Sequence, residues 1–196
     1  MLFPKPTIDS IEKLTNPKFV KPFKINYTLK NKKKVWEAVQ SHDSVSILIY
    51  HTQKRSFILV KQLRVTVLHK NKKDGMMYEL CAGIVDKNCS LEQIAKEEVF
   101  EECGYDIDIN NLEKITSVYS AVGISGSYQT LFFVEVDDSM KVNDGGGLEE
   151  EDIEVIYLKL EDTKQFMFDE KYQKTTGSLM ALYWFFDKNR AKNIIL

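Results

Sequence analysis

Long apolar runs are missing from this chain, and so is a strong charge of either sign. No stretch reaches the roughly 18 consecutive apolar residues of a bilayer-crossing helix. The opening MLFPKPTIDS has no basic segment followed by an apolar core, so neither a signal peptide nor a membrane span is expected. The net charge is −2, from 27 basic and 29 acidic residues, which removes the electrostatic case for nucleic acid or an anionic membrane as partner. Cysteine is scarce: Cys81, Cys89 and Cys103 are odd in number and lack C-x-x-C spacing. That excludes a disulfide framework, argues against a zinc site, and suits reduced thiols in a cytoplasmic protein. No histidine stands at a sequence spacing that would make a cysteine a nucleophile. His42, beside Asp43, reads as a structural hydrogen-bonding residue, and His51 and His69 as turn residues. Proline is confined to Pro4, Pro6, Pro17 and Pro22, which marks the N-terminal stretch as an irregular or edge-strand arm.

What is present is ordinary for a globular chain: 43% hydrophobic and 29% charged residues over 196 positions, enough for one domain with a full core and a short N-terminal extension. Residues 25–39 read as two strands joined by a basic turn around Asn31 to Lys34. Val45 to Tyr50 and Ser56 to Gln62 are β-rich and flank HTQKR, a hairpin. Asp74-Gly75 marks a turn before the strand Met76 to Cys81, which leads into a glycine loop. Strands are expected again over 113–121, 128–136 and Ile153 to Leu160. Between the last two lies VNDGGGLEEED, a flexible glycine stretch running into acids. Leu179, Leu182, Tyr183 and Phe186 have helical spacing, so residues 175–189 should pack as a C-terminal helix, with Trp184 on its apolar stripe. No repeat or interdomain linker is visible. Mixed strands with two helices give an α/β sandwich whose long loops gather at one end of the sheet.

The most informative stretch is GIVDKNCSLEQIAKEEVFEECGY, residues 83–105. Ser90 with Gln93 fits a capping box. Leu91, Ile94 and Ala95 give the first turns an apolar side, and Gly104 suits a left-handed helix end. Glu98, Glu101 and Glu102 fall at i, i+3 and i+4, one face of that helix. Like charges at this spacing cost a few tenths of a kcal/mol each. A solvated acidic face is one reading. Oxygen ligands gathered for a hard divalent cation are the other.

This stretch resembles the Nudix box, Gly-x5-Glu-x7-Arg-Glu-apolar-x-Glu-Glu-x-Gly-apolar. Gly83, Glu98, Val99, Glu101, Glu102, Gly104 and Tyr105 fall in register. Cys89 stands where the first Glu belongs and Glu97 where the Arg belongs; in the family that Arg helps orient a metal-binding glutamate. Lys96 is about 100° around the helix and substitutes poorly. Beyond the box, KKVWEAVQSHDSV (33–45), LVKQLR (59–64), ELCAGIVD (79–86), VGISGSYQTLFF (122–133) and GGGLEEEDIEV (145–155) are similar to the nucleoside-diphosphate-sugar branch of the Nudix hydrolases. GISGSYQT points towards its UDP-glucose-hydrolysing members, with ADP-ribose hydrolases as near relatives.

The resemblance implies a Nudix-type α/β/α sandwich with a mixed sheet over residues 41–196. It also implies an N-terminal β arm, residues 1–40, exchanged between the subunits of a homodimer. It implies Mg²⁺, with Mn²⁺ as the alternative, held by the Ala82 carbonyl, Glu98 and Glu102, with Glu101 bridging metals or positioning water. Arg64 and Glu79 match substrate-binding positions, and Trp36 an aromatic that stacks on the nucleobase. A general base is implied in the acidic loop, where alignment favours Glu149 and leaves Glu150 and Glu151 as rivals. The expected reaction is hydrolysis of a nucleotide-sugar diphosphate bond, UDP-glucose giving UMP and glucose 1-phosphate. The alternatives are ADP-ribose hydrolysis to AMP and ribose 5-phosphate, or a nucleotide-sugar binding protein with little turnover.

Overall fold

The computed structural model describes residues 6–148 and 151–191. It opens with a hairpin, β1 (Lys21–Leu29) and β2 (Lys32–Gln40), paired antiparallel as a separate two-stranded sheet and tied to the rest by the Val39 amide, which donates to the Ile124 carbonyl at 2.9 Å. Its turn is shorter than the sequence suggests. Lys30 and Asn31 both take positive φ, 52° and 57°, the two-residue turn whose twist matches the strands. The lysines at 32–34 therefore belong to β2. Phe23, Ile25, Tyr27 and Leu29 share one face of β1, opposite Ala38 and Trp36 of β2, because side chains alternate along a strand.

The remaining strands form one mixed sheet: β3 (Ser44–His51), β4 (Ser56–Leu63), β5 (Met76–Glu79), β6 (Cys81–Ile84), β7 (Glu113–Ser120), β8 (Ser127–Val136), β9 (Ile153–Lys159) and the short β10 (Gln173–Lys174). Four helices accompany them: α1 (Val65–Asn71), α2 (Leu91–Cys103), α3 (Thr163–Phe168) and α4 (Thr176–Ala191). The sequence pattern suggested only two. α1 hides behind Val65, Thr66 and Val67, whose branched side chains favour strands in isolation, and α3 is barely more than a turn. His69 accordingly lies in α1, and His51 is not a turn residue either: it ends β3, fully buried, with Nδ1 accepting a hydrogen bond from the Lys54 amide at 3.2 Å.

Alternation along the strands separates two cores. Val45, Ile47, Ile49, Ile58 and Val60 face α2 and pack on its Ile94, Ala95, Val99 and Cys103. Leu48, Phe57, Leu59, Leu131 and Phe133 face the other way and pack on Phe166, Ala181, Leu182 and Phe185. The result is helix, sheet, helix. On α4, Leu182 and Phe185 are buried and Trp184 is half-buried against Phe133, but Tyr183 points to solvent.

One irregularity in the sheet creates the site. β3 and β4 pair only at Ile49–His51 with Ser56–Ile58. Beyond that β3 pairs with β6 and β4 pairs with β5. The segment 76–84 thus bends at Leu80 and fills the wedge between two diverging strands. Gly83, expected in a loop, is instead a strand residue of β6.

Candidate active site

Helix α2 is built as its sequence dictates. The Ser90 side chain accepts from the Gln93 amide, and Gly104 ends the helix at φ 77° with its amide on the Phe100 carbonyl. Between these caps Val99 and Cys103 are buried in the core, and Glu98 and Glu102 reach the bend of the sheet at Gly83 and Ala82. Gly83 leaves room for Glu98: a Cβ there would lie 2.0 Å from Glu98 Oε1 and 2.5 Å from its Cγ, so the glutamate would have to move. Glu102 is 5% exposed, and its Oε2 accepts from the Ala82 amide at 2.9 Å. Helix and strand are therefore clasped by the box residues themselves.

A cleft of about 410 Å³ opens over the bend. Glu98, Glu102 and Glu151 line one side with Ala82 and Gly83; Gln62, Arg64 and Glu79 contribute from β4 and β5. Arg64 is already engaged, its Nε and Nη2 donating to Glu79 Oε2 at 3.0 and 2.6 Å, with Gln62 Nε2 on the same oxygen at 3.2 Å. Burial pushes the Glu102 carboxyl up from 4.5 to about 8, against the pull of the Ala82 amide and the Cys81 thiol. Burial, and then the charge of Glu101, raises Glu98 to about 7, while Lys87 works in the opposite direction. These acids resist ionisation chiefly because burial strips water from their carboxylates, and neighbouring carboxylates add negative charge that is left uncompensated.

That imbalance is what a divalent cation would relieve, and an all-oxygen donor set suits a hard one. Among the described residues no three His, Cys, Asp or Glu side chains form a closed cluster, so a cation here would also draw on main-chain oxygen such as that of Ala82. The position of the box arginine carries Glu97, which accepts from Lys87 Nζ at 2.6 Å and from Gln93 Nε2 at 3.0 Å. The residue at this position is thus acidic here, and Lys87 meets its charge.

The glycine stretch is docked rather than loose. Gly146 N and Gly147 N donate to the carbonyls of Glu102 and Glu101 at 2.9 and 3.1 Å. Gly145, Gly146 and Gly147 all have positive φ, and a Cβ on Gly145 would sit 2.3 Å from the Glu102 carbonyl oxygen. The stretch thereby satisfies the last carbonyls of α2 and delivers the acidic loop to the carboxylates. Glu149 and Glu150 lie outside the described residues; Glu151 lines the cleft and accepts from the Leu148 amide at 3.0 Å.

Two expected residues are not in the cleft wall. Glu101 is half-buried on α2 but does not line it, and Trp36 lies on the arm, half exposed, donating from Nε1 to the Gly123 carbonyl at 3.2 Å. The structural hydrogen bond expected of His42 belongs to its neighbour: Asp43 Oδ1 accepts from the Tyr128 amide at 2.8 Å, and His42 is exposed. Sequence reasoning missed Ser44, Ser46, Gln129, Thr175, Gly177 and Ser178, which complete the cleft. Ser44 and Gln129 lay in stretches singled out for the resemblance, without a role assigned to them, and no linear signal says that the start of α4 folds back over the site.

Comparison with known proteins agrees with this geometry. The model of a family described as NUDIX domain matches residues 40–179. Uridine diphosphate glucose pyrophosphatase NUDT14 of Bos taurus is 36% identical over 196 aligned residues, covering 86% of this chain and 88% of that protein. A GDP-mannose pyrophosphatase of Cronobacter sakazakii is 34% identical over 122 residues, 62% of each chain. Among solved structures, one described as an ADP compounds hydrolase superposes with a TM-score of 0.72 at 17% identity, covering 97% of both chains, a likeness of fold.

Proposed function

Because the chain belongs to the Nudix family of hydrolases acting on diphosphate bonds, we propose that it hydrolyses nucleoside-diphosphate sugars, with UDP-glucose going to UMP and glucose 1-phosphate. The observation that carries this reading is the pair of half-buried Glu98 and buried Glu102, clasped to Gly83 and Ala82 at the floor of the cleft. The sugar-nucleotide substrate is supported by pyrophosphatases acting on UDP-glucose and GDP-mannose among the relatives.

Each residue then has a role. Ala82, through its carbonyl, Glu98 and Glu102 would hold Mg²⁺, which offsets phosphate charge and makes water more acidic when bound. Glu101, next to them on α2, would position water beside the metal site. Arg64 shares its planar fork between Glu79 and a phosphate oxygen. Water attacks one phosphorus, the bridging P–O bond breaks, and the proton passes to an acid of the loop 149–151. Glu149 is favoured by alignment, and Glu151 is the described acid at the cleft.

The arm, residues 1–40, serves the hydrolase unit, residues 41–196, of a second copy. A lone two-stranded hairpin is marginal in water, yet Phe23, Ile25, Leu29 and Trp36 on its apolar face are all exposed. A homodimer would cover that face and bring Trp36 to a partner's cleft, which has no aromatic among its described lining residues. The cytoplasm is the compartment we propose; no helix among the described residues is long and apolar enough to cross a membrane.

Incubation with UDP-glucose and with ADP-ribose, with and without Mg²⁺, followed by phosphorus NMR beside a Glu102→Gln variant, tests the reading. UMP and glucose 1-phosphate should appear only with metal and only with the parent protein. Binding without turnover of either compound would retire it in favour of a binding protein.

A further inference from the structure

The cleft has two chemically different walls, and the mechanism above uses only one. Along β3, Leu48 packs in the core beneath α4, whereas Ser46 and Ser44, on the same face by the two-residue period, line the cleft. β8 makes the same change: Leu131 is core and Gln129 lines the cleft. Ser44 lies opposite Gln129 and Ser46 opposite Leu131 in the parallel register, so both strands turn polar where the cavity begins. The start of α4 closes this wall with Thr175, Gly177 and Ser178, the hydroxyls of Thr175 and Ser178 being bonded to each other at 2.8 Å.

Resting on the hydrolase reading, we infer that this neutral wall is the subsite for the polyhydroxyl half of the substrate, with Gln129 and Ser46 as its hydrogen-bonding pair. Ser46 is 3% exposed, and its Oγ accepts from Gln129 Nε2 at 3.0 Å. A hydroxyl also has a proton to donate, and among the described residues none accepts it; Gln129 Oε1 likewise receives no donor. Buried polar groups are ordinarily paired, and a ring of alternating donor and acceptor hydroxyls would pair both. A phosphate would seek a cation, and the lining cation, Arg64, sits on the β4–β5 side with Glu79. A base would seek an aromatic face, which the described lining lacks and which the partner's Trp36 would have to supply. Gly177 sets the reach of Gln129, since a Cβ there would stand 2.8 Å from Gln129 Oε1.

Calorimetric titration of the full-length protein in Mg²⁺ with UMP, glucose 1-phosphate and ribose 5-phosphate tests the subsite independently of turnover. Gln129→Ala and Gly177→Ala should each weaken one sugar phosphate about tenfold while leaving UMP within about twofold. Alanine favours a helix over glycine, so the second variant keeps the fold while displacing the amide. Whether glucose 1-phosphate or ribose 5-phosphate moves names the hexose or the pentose. Equal weakening of UMP and the sugar phosphates, or no change in either variant, overturns the inference. The hydrolase reading itself stands or falls on parent turnover.

Discussion

Replacing Glu102 by Gln should abolish activity and stabilise the metal-free protein, and the size of the gain can be worked from the site. Glu102 ionises near 4.5 in an ordinary environment and at about 8 in the fold. Between those values the folded state keeps a proton that the unfolded chain has released, so stability falls as pH rises through the window and levels off above it. Each tenfold change in proton affinity is worth about 1.4 kcal/mol, which sets an upper bound of about 5 kcal/mol. Relaxation and water entry reduce this to about 2 kcal/mol at pH 8.5. Glutamine keeps a side-chain oxygen for the Ala82 amide, which donates to the Glu102 carboxyl at 2.9 Å, and carries no charge. In EDTA at pH 8.5 the variant should therefore melt about 4–8 °C above the parent, with the difference vanishing near pH 4.5. Saturating Mg²⁺ should raise the parent alone, by binding the folded state. A variant that melts at or below the parent in EDTA at pH 8.5 would refute the claim that Glu102 is a carboxylate held at a cost for a cation.

Gly83→Ala should act through Glu98 alone. Its Cβ, at 2.0 Å from Glu98 Oε1, forces that side chain off the strand, so kcat/KM should fall at least about 100-fold and the Mg²⁺ concentration for half activity should rise; a merely local packing defect would leave the metal dependence where it was. Ile25→Asp, in the apolar face of the arm, should halve the mass seen by light scattering and raise KM with little change in kcat. An unchanged mass would remove the exchanged arm from the account.

Much of the carboxylate half of the site was legible because it is local. Ser90 and Gln93, the spacing of Glu98 and Glu102, and Gly104 act over one helix, where 3.6 residues per turn converts sequence spacing directly into position. Gly83 was legible by its motif but not by its reason, which is steric and involves a residue on another element. The glycine stretch before the acids reads as flexible because glycines are permissive; the amides of Gly146 and Gly147 bond to the carbonyls of Glu102 and Glu101, a contact that no local rule anticipates.

The sequence by itself determined most of the long strands, the capped carboxylate helix and the C-terminal helix α4, since each follows from periodicity and end residues that operate within a single element. Tertiary structure alone decided where these meet. The divergence of β3 from β4, the bend at Leu80, and the seating of Gly177 against Gln129 are settled by how two cores pack on opposite faces of one sheet. The neutral wall of the cleft stayed invisible for that reason: Ser46, Gln129 and Ser178 are unremarkable polar residues until three distant segments are folded around the same cavity.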